Sequence, residues 1–594
     1  MILELIASET SEHRGSDDLM SAGLGAAGLR NPAPPAFVAP ENPSAAELRR
    51  RAIWTNWRGI ADLSIGGGYD KFYGLLKAVP GREFHALALL PKAKQPIRVL
   101  VQLPDAFDLA KRCLVVTASS GSRGIYGAIA LAGGWGLPRG CAVAYTDKGA
   151  GTGYVDTGNP KRMTTSGTPA MSWEPTEFST EPFSGEGVAP IAVKHAHSGD
   201  NPEADWGGHV RQAADFALTT LSAAYPNESA FTYANTKIIA VGVSNGGGAV
   251  LRAAEMDEAW LDGVVAVSPN IWAADANGAR PLYDYATEAA IWLPCALNAS
   301  AFDKVVLARP GGVKSATGSA RCGALHKLGW LKTTTLAEQY EEAYAHLKVA
   351  GWTDVALSAA ALSTSFDLWR AVAVTYASAY ARSDASHMPC GYAFHALGSD
   401  GTPRAPTLAE AAAWGSDASG IAPGAGVFIT DSLAQTPAAD AADPALAGLL
   451  CLRALWQGKN EIATTVNTSI AATAAKPPRV GLATIVIHGL DDGLIPAAFS
   501  SAPYVARAKA QGRNVRYWRV QNAQHFDAFI GLPSWSSRYV PLMPYAYHAL
   551  DAMWLHISQA AELPSDAEII TTPPTLSAAG VSPLTAANLG VLPQ

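Results

Sequence analysis

The sequence predicts an α/β fold in which a mostly parallel sheet is interrupted by a large, mainly helical insertion. Short apolar and β-branched runs alternate with helical segments up to about residue 275, as buried parallel strands and their crossover helices do. The alternation then stops, and it resumes only after residue 470. The chain between, rich in Ala, Trp and Tyr, has a helical period. A sheet that stops and resumes in this way indicates an inserted domain.

The candidate strands are short apolar runs bounded by turn residues. They are residues 97–104, 113–118, 141–147, 237–243, 262–268, 483–489 and 514–520, and a further run from Gly81 is expected to form an edge strand. Length alone would favour a string of separate domains. The pattern instead divides the chain into an N-terminal extension packed on the core (1–84), the first part of the core (85–275), an inserted lid (276–470) and the second part of the core (471–594).

The composition excludes several classes of protein. Apolar residues make up 48% and charged residues 16% of the chain, and the net charge is −7. These values argue against global disorder and against a long helical rod. No concentrated basic patch is visible, so we expect no nucleic-acid partner, and no apolar run reaches the ~18 residues of a membrane span. The N-terminus lacks the pattern of a signal peptide, so the chain is expected either to be cytoplasmic or to have lost a leader.

No metal or cofactor is expected. Six cysteines are spread along the chain without a CxxC pair, which argues against a zinc site. Their even number permits disulfides without requiring them. The sequence contains neither an HExxH motif nor an EF-hand loop, and the Gly-Gly-Gly run at 246–248 lacks the Lys-Ser/Thr of a phosphate-binding loop.

Residues 242–246, Gly-Val-Ser-Asn-Gly, match the G-x-S-x-G nucleophile elbow of α/β hydrolases. The motif follows a predicted strand and precedes a predicted helix, which is the context that the elbow requires. A Gly-rich turn with a purely structural role is the alternative. We predict that Ser244 is a nucleophile, and a nucleophilic Ser needs a base and an orienting acid.

A candidate acid follows the strand at 483–489, in the turn His-Gly-Leu-Asp-Asp-Gly-Leu-Ile-Pro that begins at His488. This turn resembles the HGxxDxxxP turn of many hydrolases of this fold, and its spacing selects Asp492. Asp491 is the alternative to Asp492, and we otherwise expect it to be a loop carboxylate facing solvent. His488 is expected to be bonded to neighbouring backbone at the strand end.

A candidate base, His525, lies on the loop after the strand at 514–520. It is 33 residues beyond Asp492 (525 − 492), and the order Ser, acid, His along the chain is that of α/β hydrolases. His548 and His556 fall in a predicted C-terminal helix and are expected to be structural or at the surface. Four further histidines could line a pocket, and the sequence does not decide between them: His195, His197, His387 and His395.

The oxyanion hole is expected to use two backbone N–H groups. One should belong to Asn245, the residue after the nucleophile. The other should come from the Gly-rich turn at 119–124, Ser-Ser-Gly-Ser-Arg-Gly, where we favour Ser122 or its neighbour Arg123. A plain connection between strand and helix is the alternative for this turn.

Five segments together suggest a family, and the long Gly-rich segment around 115–154 is much more specific than the elbow alone. The five segments are SDDLMSAGLGAAGL, VVTASSGSRGIYGAIALAGGWGLPRGCAVAYTDKGAGTGY, NPEADWG, VGVSNGGGAVLRAAE and SDASHMPCGYAF. These segments resemble the D-(−)-3-hydroxybutyrate oligomer hydrolases, over the chain from about residue 16 to the C-terminus. The resemblance implies an esterase that cleaves short (R)-3-hydroxybutyrate oligomers to the monomer, downstream of a polyhydroxybutyrate depolymerase. The nucleophile of that family falls on Ser244.

The resemblance also bears on location and partners. It implies a secreted or periplasmic protein, with a cytoplasmic location as the alternative, and a small ester substrate. As the composition indicates, no nucleic-acid or membrane partner is expected. Hydroxybutyrate oligomers are neutral along their length and carry one terminal carboxylate, for which Arg123 is a positional candidate. A charge-poor, aromatic-rich lid could cover such a chain. The oligomeric state is not predicted.

Two other interpretations stay open. Tannases and feruloyl esterases also insert a large lid into this fold. They typically join a Cys before the nucleophile to a Cys after the catalytic His, whereas here these positions hold Val243 and Phe526. A non-catalytic binding protein on a hydrolase scaffold would usually lose the Ser or the His, and both are present.

Overall fold

The structure is a computed structural model that describes residues 4–71, 73–416, 419–422, 424–436 and 439–594. Within them the strands are β1 (Glu4–His13), β2 (Gly81–Leu89), β3 (Ile97–Pro104), β4 (Cys113–Ala118), β5 (Ala142–Thr146), β6 (Tyr154–Asp156), β7 (Ile191–Val193), β8 (Lys237–Val243), β9 (Gly263–Val267), β10 (Tyr392–Leu397), β11 (Pro403–Arg404), β12 (Phe428–Asp431), β13 (Ala483–Gly489), β14 (Val515–Val520), β15 (Ala567–Ile569), β16 (Leu576–Ser577) and β17 (Gly580–Val581). The α-helices are α1 (Gly25–Arg30), α2 (Ala45–Arg58), α3 (Gly134–Gly136), α4 (Lys194–His197), α5 (Pro202–Ala224), α6 (Asn245–Ala254), α7 (Leu282–Ala296), α8 (Ala316–Lys327), α9 (Leu336–Val349), α10 (Asp354–Ser365), α11 (Leu368–Ala381), α12 (Leu408–Ala413), α13 (Leu446–Gln457), α14 (Glu461–Ala471), α15 (Ser501–Ala510), α16 (Pro533–Ser536) and α17 (Met543–Gln559).

In the described part of the chain, ten strands form one sheet in the order β1-β2-β3-β5-β4-β8-β9-β13-β14-β15. The pairings from β1 to β5 are antiparallel, and those from β5 to β15 are parallel. Strand β8, which leads into Ser244, lies inside the parallel part between β4 and β9. This is the arrangement of an α/β-hydrolase core, so the predicted fold class is confirmed. Each of the seven predicted strands is present to within one residue at either end.

The central strands are hydrophobic because helices cover both faces of the sheet. Every residue of β3, β4, β5, β9 and β13 is buried. Helices α5, α6 and α15 pack on one face, and helices α2 and α17 pack on the other. Parallel strands buried on both faces carry continuous apolar runs, which is why they could be recognised without an alternating pattern.

The N-terminal segment adds a strand to the sheet, and here the structure corrects the predicted edge strand. The prediction treats residues 1–84 as an extension packed on the core and makes the strand from Gly81 the edge. Instead, β1 pairs antiparallel with β2 and forms the edge itself. Strand β1 is mostly exposed, so it lacks the apolar run by which the other strands were recognised. The proposed boundary at 84/85 falls inside β2.

The insertion is the chain between β9 and β13, two strands that pair directly. It contains helices α7 to α14 and a small sheet in the order β11-β10-β12. The small sheet was not predicted. A hydrophobic cluster that includes α7, α9, α10, α11 and α13 forms most of its interior. The limits 276–470 remain our proposed boundaries for this lid.

Within the described residues the six cysteines form three disulfides: Cys113–Cys141, Cys295–Cys322 and Cys390–Cys451. The first lies in the core, and the other two lie in the insertion. The sequence left the pairing open, because a disulfide needs two Cα atoms within about 7 Å and only the tertiary fold brings them there.

Two kinds of feature are absent from the described residues. No described helix is long and apolar enough to cross a membrane. The described His, Cys, Asp and Glu side chains form no group of three or more that could hold a metal ion.

Candidate active site

Ser244 lies on a strained turn between β8 and α6. Its φ of 59° and ψ of −124° are rarely adopted by residues other than Gly, and such strain concentrates at functional sites. A Cβ atom on Gly242 would lie 2.2 Å from the Gly246 carbonyl oxygen, so the turn can only be this tight with Gly at 242. The local geometry is that of a nucleophile elbow.

The three residues predicted as a catalytic triad are brought together by the fold. His525 Nε2 lies 2.9 Å from Ser244 Oγ, and His525 Nδ1 lies 2.7 Å from Asp492 Oδ2. In a neutral imidazole, an Nδ1–H that donates to the carboxylate leaves Nε2 free to accept the Ser hydroxyl proton. The arrangement can therefore activate the hydroxyl of Ser244 as a nucleophile.

Asp492 is held as a carboxylate in a fully buried position. Burial by itself would raise the pKa of Asp492, but the charge of His525 and hydrogen bonds from His488 and His525 outweigh burial and hold this pKa well below its usual value. Its Oδ1 also accepts the N–H groups of Leu494 and Ile495, at 2.9 and 2.7 Å. A carboxylate with this many donors keeps both its charge and its orientation.

The neighbouring Asp491 has a different environment. Its Oδ1 accepts the Asn522 N–H at 3.2 Å, and no described histidine contacts it. Burial raises the pKa of Asp491 to about 6. It is half-buried and so less exposed than predicted, and it does not line the cavity that contains Ser244.

The remaining histidines are placed as follows. His488 Nε2 donates to the Ile495 carbonyl oxygen at 2.8 Å, which confirms the predicted bond to neighbouring backbone. His548 and His556 contact the carbonyl oxygens of Pro593 and Ala561, as expected for structural residues. Of the histidines left undecided, none lines the cavity: His195, His197, His387 and His395.

The predicted oxyanion donors come from two different elements. The N–H of Asn245 is the first of α6 and has no acceptor within that helix. Ser122 and Arg123 line the same cavity as Ser244. The Arg123 N–H donates to the Ser120 carbonyl oxygen at 3.2 Å, whereas no described residue accepts the N–H of Ser122. Of the two candidates in this turn, Ser122 is therefore the one with a free donor.

A cavity of about 900 Å³ opens over Ser244 and His525. Its lining comes from the segment after α2, the turn at 119–124, the insertion and the loop after β14. Most of these side chains are apolar, among them Ile65, Phe366, Val372, Ile421, Phe526 and Phe529. The contribution of the segment after α2 could not be seen in the sequence, because it depends on a long-range contact between the N-terminal segment and the core.

Arg123 is a cation in this cavity that has no carboxylate partner among the described residues. Its Nη2 donates to the Gly59 carbonyl oxygen in a long contact of 3.4 Å. A Cβ atom on Gly59 would lie 2.2 Å from this nitrogen, so Gly at 59 makes room for the guanidinium. Burial lowers the pKa of Arg123 to about 10, which leaves the group charged at neutral pH. A guanidinium has five N–H donors, so most of its capacity to bind an anion is unused.

Three residues outside the predicted site contact the predicted oxyanion elements: His195, which the sequence left undecided, and Lys148 and Tyr376, which it did not single out. His195 Nδ1 lies 2.5 Å from Ser122 Oγ, Lys148 Nζ donates to the Gly121 carbonyl oxygen at 2.6 Å, and Asn245 Nδ2 donates to Tyr376 Oη at 2.8 Å. No local pattern marks these residues, because each contacts a segment distant in the sequence.

The chain matches the family model described as 3HB-oligomer hydrolase over residues 3–594. A relative from Polaromonas sp., named D-(-)-3-hydroxybutyrate oligomer hydrolase, is 37% identical over 634 residues, which cover 97% of this chain and 89% of the relative. A protein of the same name from Paracidovorax citrulli is 35% identical over 649 residues, covering 97% and 91%. Among solved structures, tannin acyl hydrolase from Aspergillus niger aligns with a TM-score of 0.38 and 12% identity over 87% of this chain and 83% of that one, a likeness too low to bear on function. The family model and the curated relatives confirm the resemblance and the expectation of a hydrolase, and the chain belongs to the 3HB-oligomer hydrolase family.

Proposed function

We propose that this protein is a serine esterase that hydrolyses short (R)-3-hydroxybutyrate oligomers to the monomer, downstream of a polyhydroxybutyrate depolymerase. The observation that carries the proposal is the hydrogen-bonded chain from Ser244 through His525 to Asp492, beside a cavity, in a member of the 3HB-oligomer hydrolase family. The mechanism that follows needs only side chains, backbone N–H groups and water.

In the acylation step, Ser244 Oγ attacks the ester carbonyl carbon while His525 Nε2 takes the hydroxyl proton. Asp492 keeps the ring in the tautomer that leaves Nε2 free, and it stabilises the imidazolium that forms. The carbonyl oxygen becomes an oxyanion and accepts hydrogen bonds from the N–H groups of Asn245 and Ser122. His525 then gives its proton to the departing oxygen. The first product leaves as an alcohol, and the acyl group stays on Ser244.

In the deacylation step, water takes the place of the alcohol. His525 removes a proton from the water, and the water oxygen attacks the acyl carbon. When the tetrahedral intermediate collapses, the proton returns to Ser244 Oγ and the carboxylic acid leaves. Each cycle consumes one water and produces one new hydroxyl end and one new carboxyl end, as hydrolysis of a hydroxyacid oligomer requires.

The cavity suits a short neutral ester chain with one charged end. Its volume of about 900 Å³ is near the upper end of the ~300–1,000 Å³ of small-molecule sites. Apolar walls can contact the methyl branches of the chain. Arg123 offers a terminal carboxylate the planar pair of N–H donors that guanidinium groups present to carboxylates.

Product analysis with the dimer and trimer of (R)-3-hydroxybutyrate tests this proposal. The wild type is expected to release the monomer from both, and Ser244→Ala is expected to lose both hydrolysis and covalent labelling by a fluorophosphonate. A p-nitrophenyl ester and a tannin-type ester are run in parallel. Activity on these two alone would reject the hydroxybutyrate substrate and leave an esterase. No labelling of Ser244 in the wild type would favour a non-catalytic binding protein.

The role of Arg123 has its own test, with Arg123→Gln and two substrates, one with a free terminal carboxylate and one in which a methyl ester removes that charge. The KM for the free-acid dimer is expected to rise about 10- to 100-fold, because hydrogen bonds to charged groups contribute about 1.5–3 kcal/mol. The KM for the methyl ester of the dimer, which lacks the anion, should change far less. Equal increases for the two substrates would contradict a carboxylate site at Arg123.

We also propose a secreted or periplasmic location. The support is the pairing of all six cysteines in the described residues, since disulfides persist in oxidising compartments and are rare in the cytosol. Cell fractionation with detection of the native protein checks this proposal. Recovery in the cytosolic fraction with reduced thiols would contradict it.

A further inference from the structure

We propose that His195 and Lys148 are positioning residues that hold the Ser122 peptide group in the oxyanion hole, and that Glu203 orients His195. The inference rests on the proposed esterase mechanism. It concerns buried polar groups that the Ser244–His525–Asp492 chain does not use. Each of them touches the turn at 119–124 or a residue that does.

The Ser122 side chain is held by a histidine that is itself oriented by a carboxylate. Ser122 Oγ lies 2.5 Å from His195 Nδ1, and His195 Nε2 lies 2.6 Å from Glu203 Oε1. His195 is 0% and Glu203 2% exposed. A carboxylate only accepts, so His195 Nε2–H donates to Glu203, and in a neutral ring Nδ1 accepts a hydrogen bond from the Ser122 hydroxyl. The direction of the Ser122 side chain therefore depends on Glu203, two contacts away.

The peptide group before Ser122 is held by Lys148. Lys148 Nζ donates to the Gly121 carbonyl oxygen at 2.6 Å and to Ser119 Oγ at 2.8 Å. Because a peptide group is planar and trans, fixing the direction of the Gly121 C=O also fixes the opposite direction of the Ser122 N–H. That N–H is the proposed second oxyanion donor. On the other side of Ser122, its own carbonyl oxygen accepts the Gly420 N–H at 2.8 Å.

Lys148 does not form an ion pair with the neighbouring Asp147. It is 0% exposed, and the adjacent Asp147 pairs with Lys194 at 2.6 Å instead. Burial, opposed by Asp147 and Glu203, lowers the pKa of Lys148 to about 7. Its φ of 53° is also unfavourable for a residue other than Gly. A buried and strained Lys without an ion pair among the described residues is costly, and its contacts with the oxyanion turn account for its position.

The same network reaches the other oxyanion donor and the lid. The rings of His195 and Tyr376 meet edge to face with centroids 4.8 Å apart. The Tyr376 hydroxyl accepts a hydrogen bond from Asn245 Nδ2 at 2.8 Å. Tyr376 belongs to α11 of the insertion. The two oxyanion elements are thus connected through one lid residue, so lid packing and oxyanion geometry are coupled.

Ser122, His195 and Glu203 are the residue types of a second Ser-His-acid triad. The first experiment therefore distinguishes a nucleophilic role of Ser122 from the positioning role proposed here. In Ser244→Ala, a positioning role predicts no fluorophosphonate labelling anywhere in the cavity. Labelling of Ser122 in that variant would overturn the proposal. A p-nitrophenyl ester serves as the kinetic substrate, so that an error in the hydroxybutyrate assignment does not affect the outcome.

The variants are His195→Ala, Lys148→Met, Glu203→Ala and Glu203→Gln. For the first three, kcat is expected to fall about 10- to 100-fold with little change in KM, because a displaced donor costs less than the ~10²–10³-fold loss of an oxyanion donor. Glu203→Gln keeps an acceptor for His195 Nε2–H and should recover much of the loss. Affinity for a trifluoromethyl ketone that mimics the tetrahedral intermediate should fall in parallel with kcat.

His197→Gln is the matched control, since His197 lies on the same helix α4, is buried and does not contact Ser122. The control is expected to lower the melting temperature while keeping kcat near the wild-type value. The proposal is overturned if His195→Ala and Lys148→Met lower kcat no more than His197→Gln does. It is also overturned if their loss appears in KM alone. If the wild type has no esterase activity, the proposed function itself is refuted.

Discussion

At the scale of single residues, two adjacent carboxylates differ because their surroundings differ. Asp492 is fully buried and receives hydrogen bonds from His525 and two backbone N–H groups. Asp491 is half-buried, receives one backbone N–H and has a raised pKa. The sequence ranked Asp492 first by spacing alone. The structure supplies the physical difference, which is the number of donors that face each carboxylate.

The pair Asp492→Asn and Asp491→Asn tests this difference with the same chemical change at neighbouring positions. Asp492→Asn is expected to lower kcat about 10⁴-fold, because an amide no longer enforces the His525 tautomer that leaves Nε2 free. Asp491→Asn should retain most of the wild-type kcat. Steady-state kinetics on one ester substrate measures both. A comparable loss in the two variants, or a larger loss at 491, would refute Asp492 as the orienting acid.

At the scale of elements, the insertion is stabilised by covalent bonds as well as by its own hydrophobic cluster. Cys295–Cys322 joins α7 to α8, and Cys390–Cys451 joins the turn before β10 to α13. The second closes a sequence separation of 61 residues. Closing a longer loop removes more chain entropy from the unfolded state, so this bond should stabilise the protein more than Cys295–Cys322, whose separation is 27 residues.

Replacing Cys390 and Cys451 together by Ser is expected to lower the free energy of unfolding by about 2–4 kcal/mol. Urea unfolding followed by circular dichroism measures the change, with and without reductant. Reductant should move the wild type toward the variant and affect the variant less. Coincident urea midpoints of the two proteins without reductant would show that this bond does not stabilise the lid.

At the scale of the whole molecule, the cavity joins parts of the chain that are distant in sequence. The segment after α2, the core, the lid and the loop after His525 all contribute to its lining. The lining includes acidic side chains that are buried. Asp527 is an example: it is 4% exposed, and its carboxylate accepts the N–H groups of Leu542 and Met543.

The stability of the whole protein should therefore depend on pH through Asp527. Burial raises its pKa to about 7, with the charge of Asp62 adding to the shift and that of His525 opposing it. Between the unfolded pKa of about 4 and the folded pKa of about 7, the folded state binds more protons than the unfolded state, so this group's contribution to stability falls as pH rises through that window. Above and below the window the contribution is constant.

Asp527→Asn is expected to remove this part of the pH dependence. Melting temperatures of wild type and variant, measured from pH 4 to pH 8, should diverge in slope between about pH 4 and pH 7. Asp257→Asn, a change at an exposed carboxylate, should leave the slope as it is in the wild type. Parallel curves for wild type and Asp527→Asn would contradict the raised pKa.

Local pattern was sufficient for the buried strands, the elbow at Ser244 and the order of Ser, acid and His, because each depends on neighbouring residues or on the hydrophobicity of a short run. The same local pattern did not predict β1, which is exposed and has a polar sequence, nor the small sheet of the lid. It left open the disulfide pairs, the choice between the N–H groups of Ser122 and Arg123, and the partners of His195 and Lys148. All of these depend on which distant segments meet, and only burial and contact between those segments decide whether a donor is free or a charge is paired.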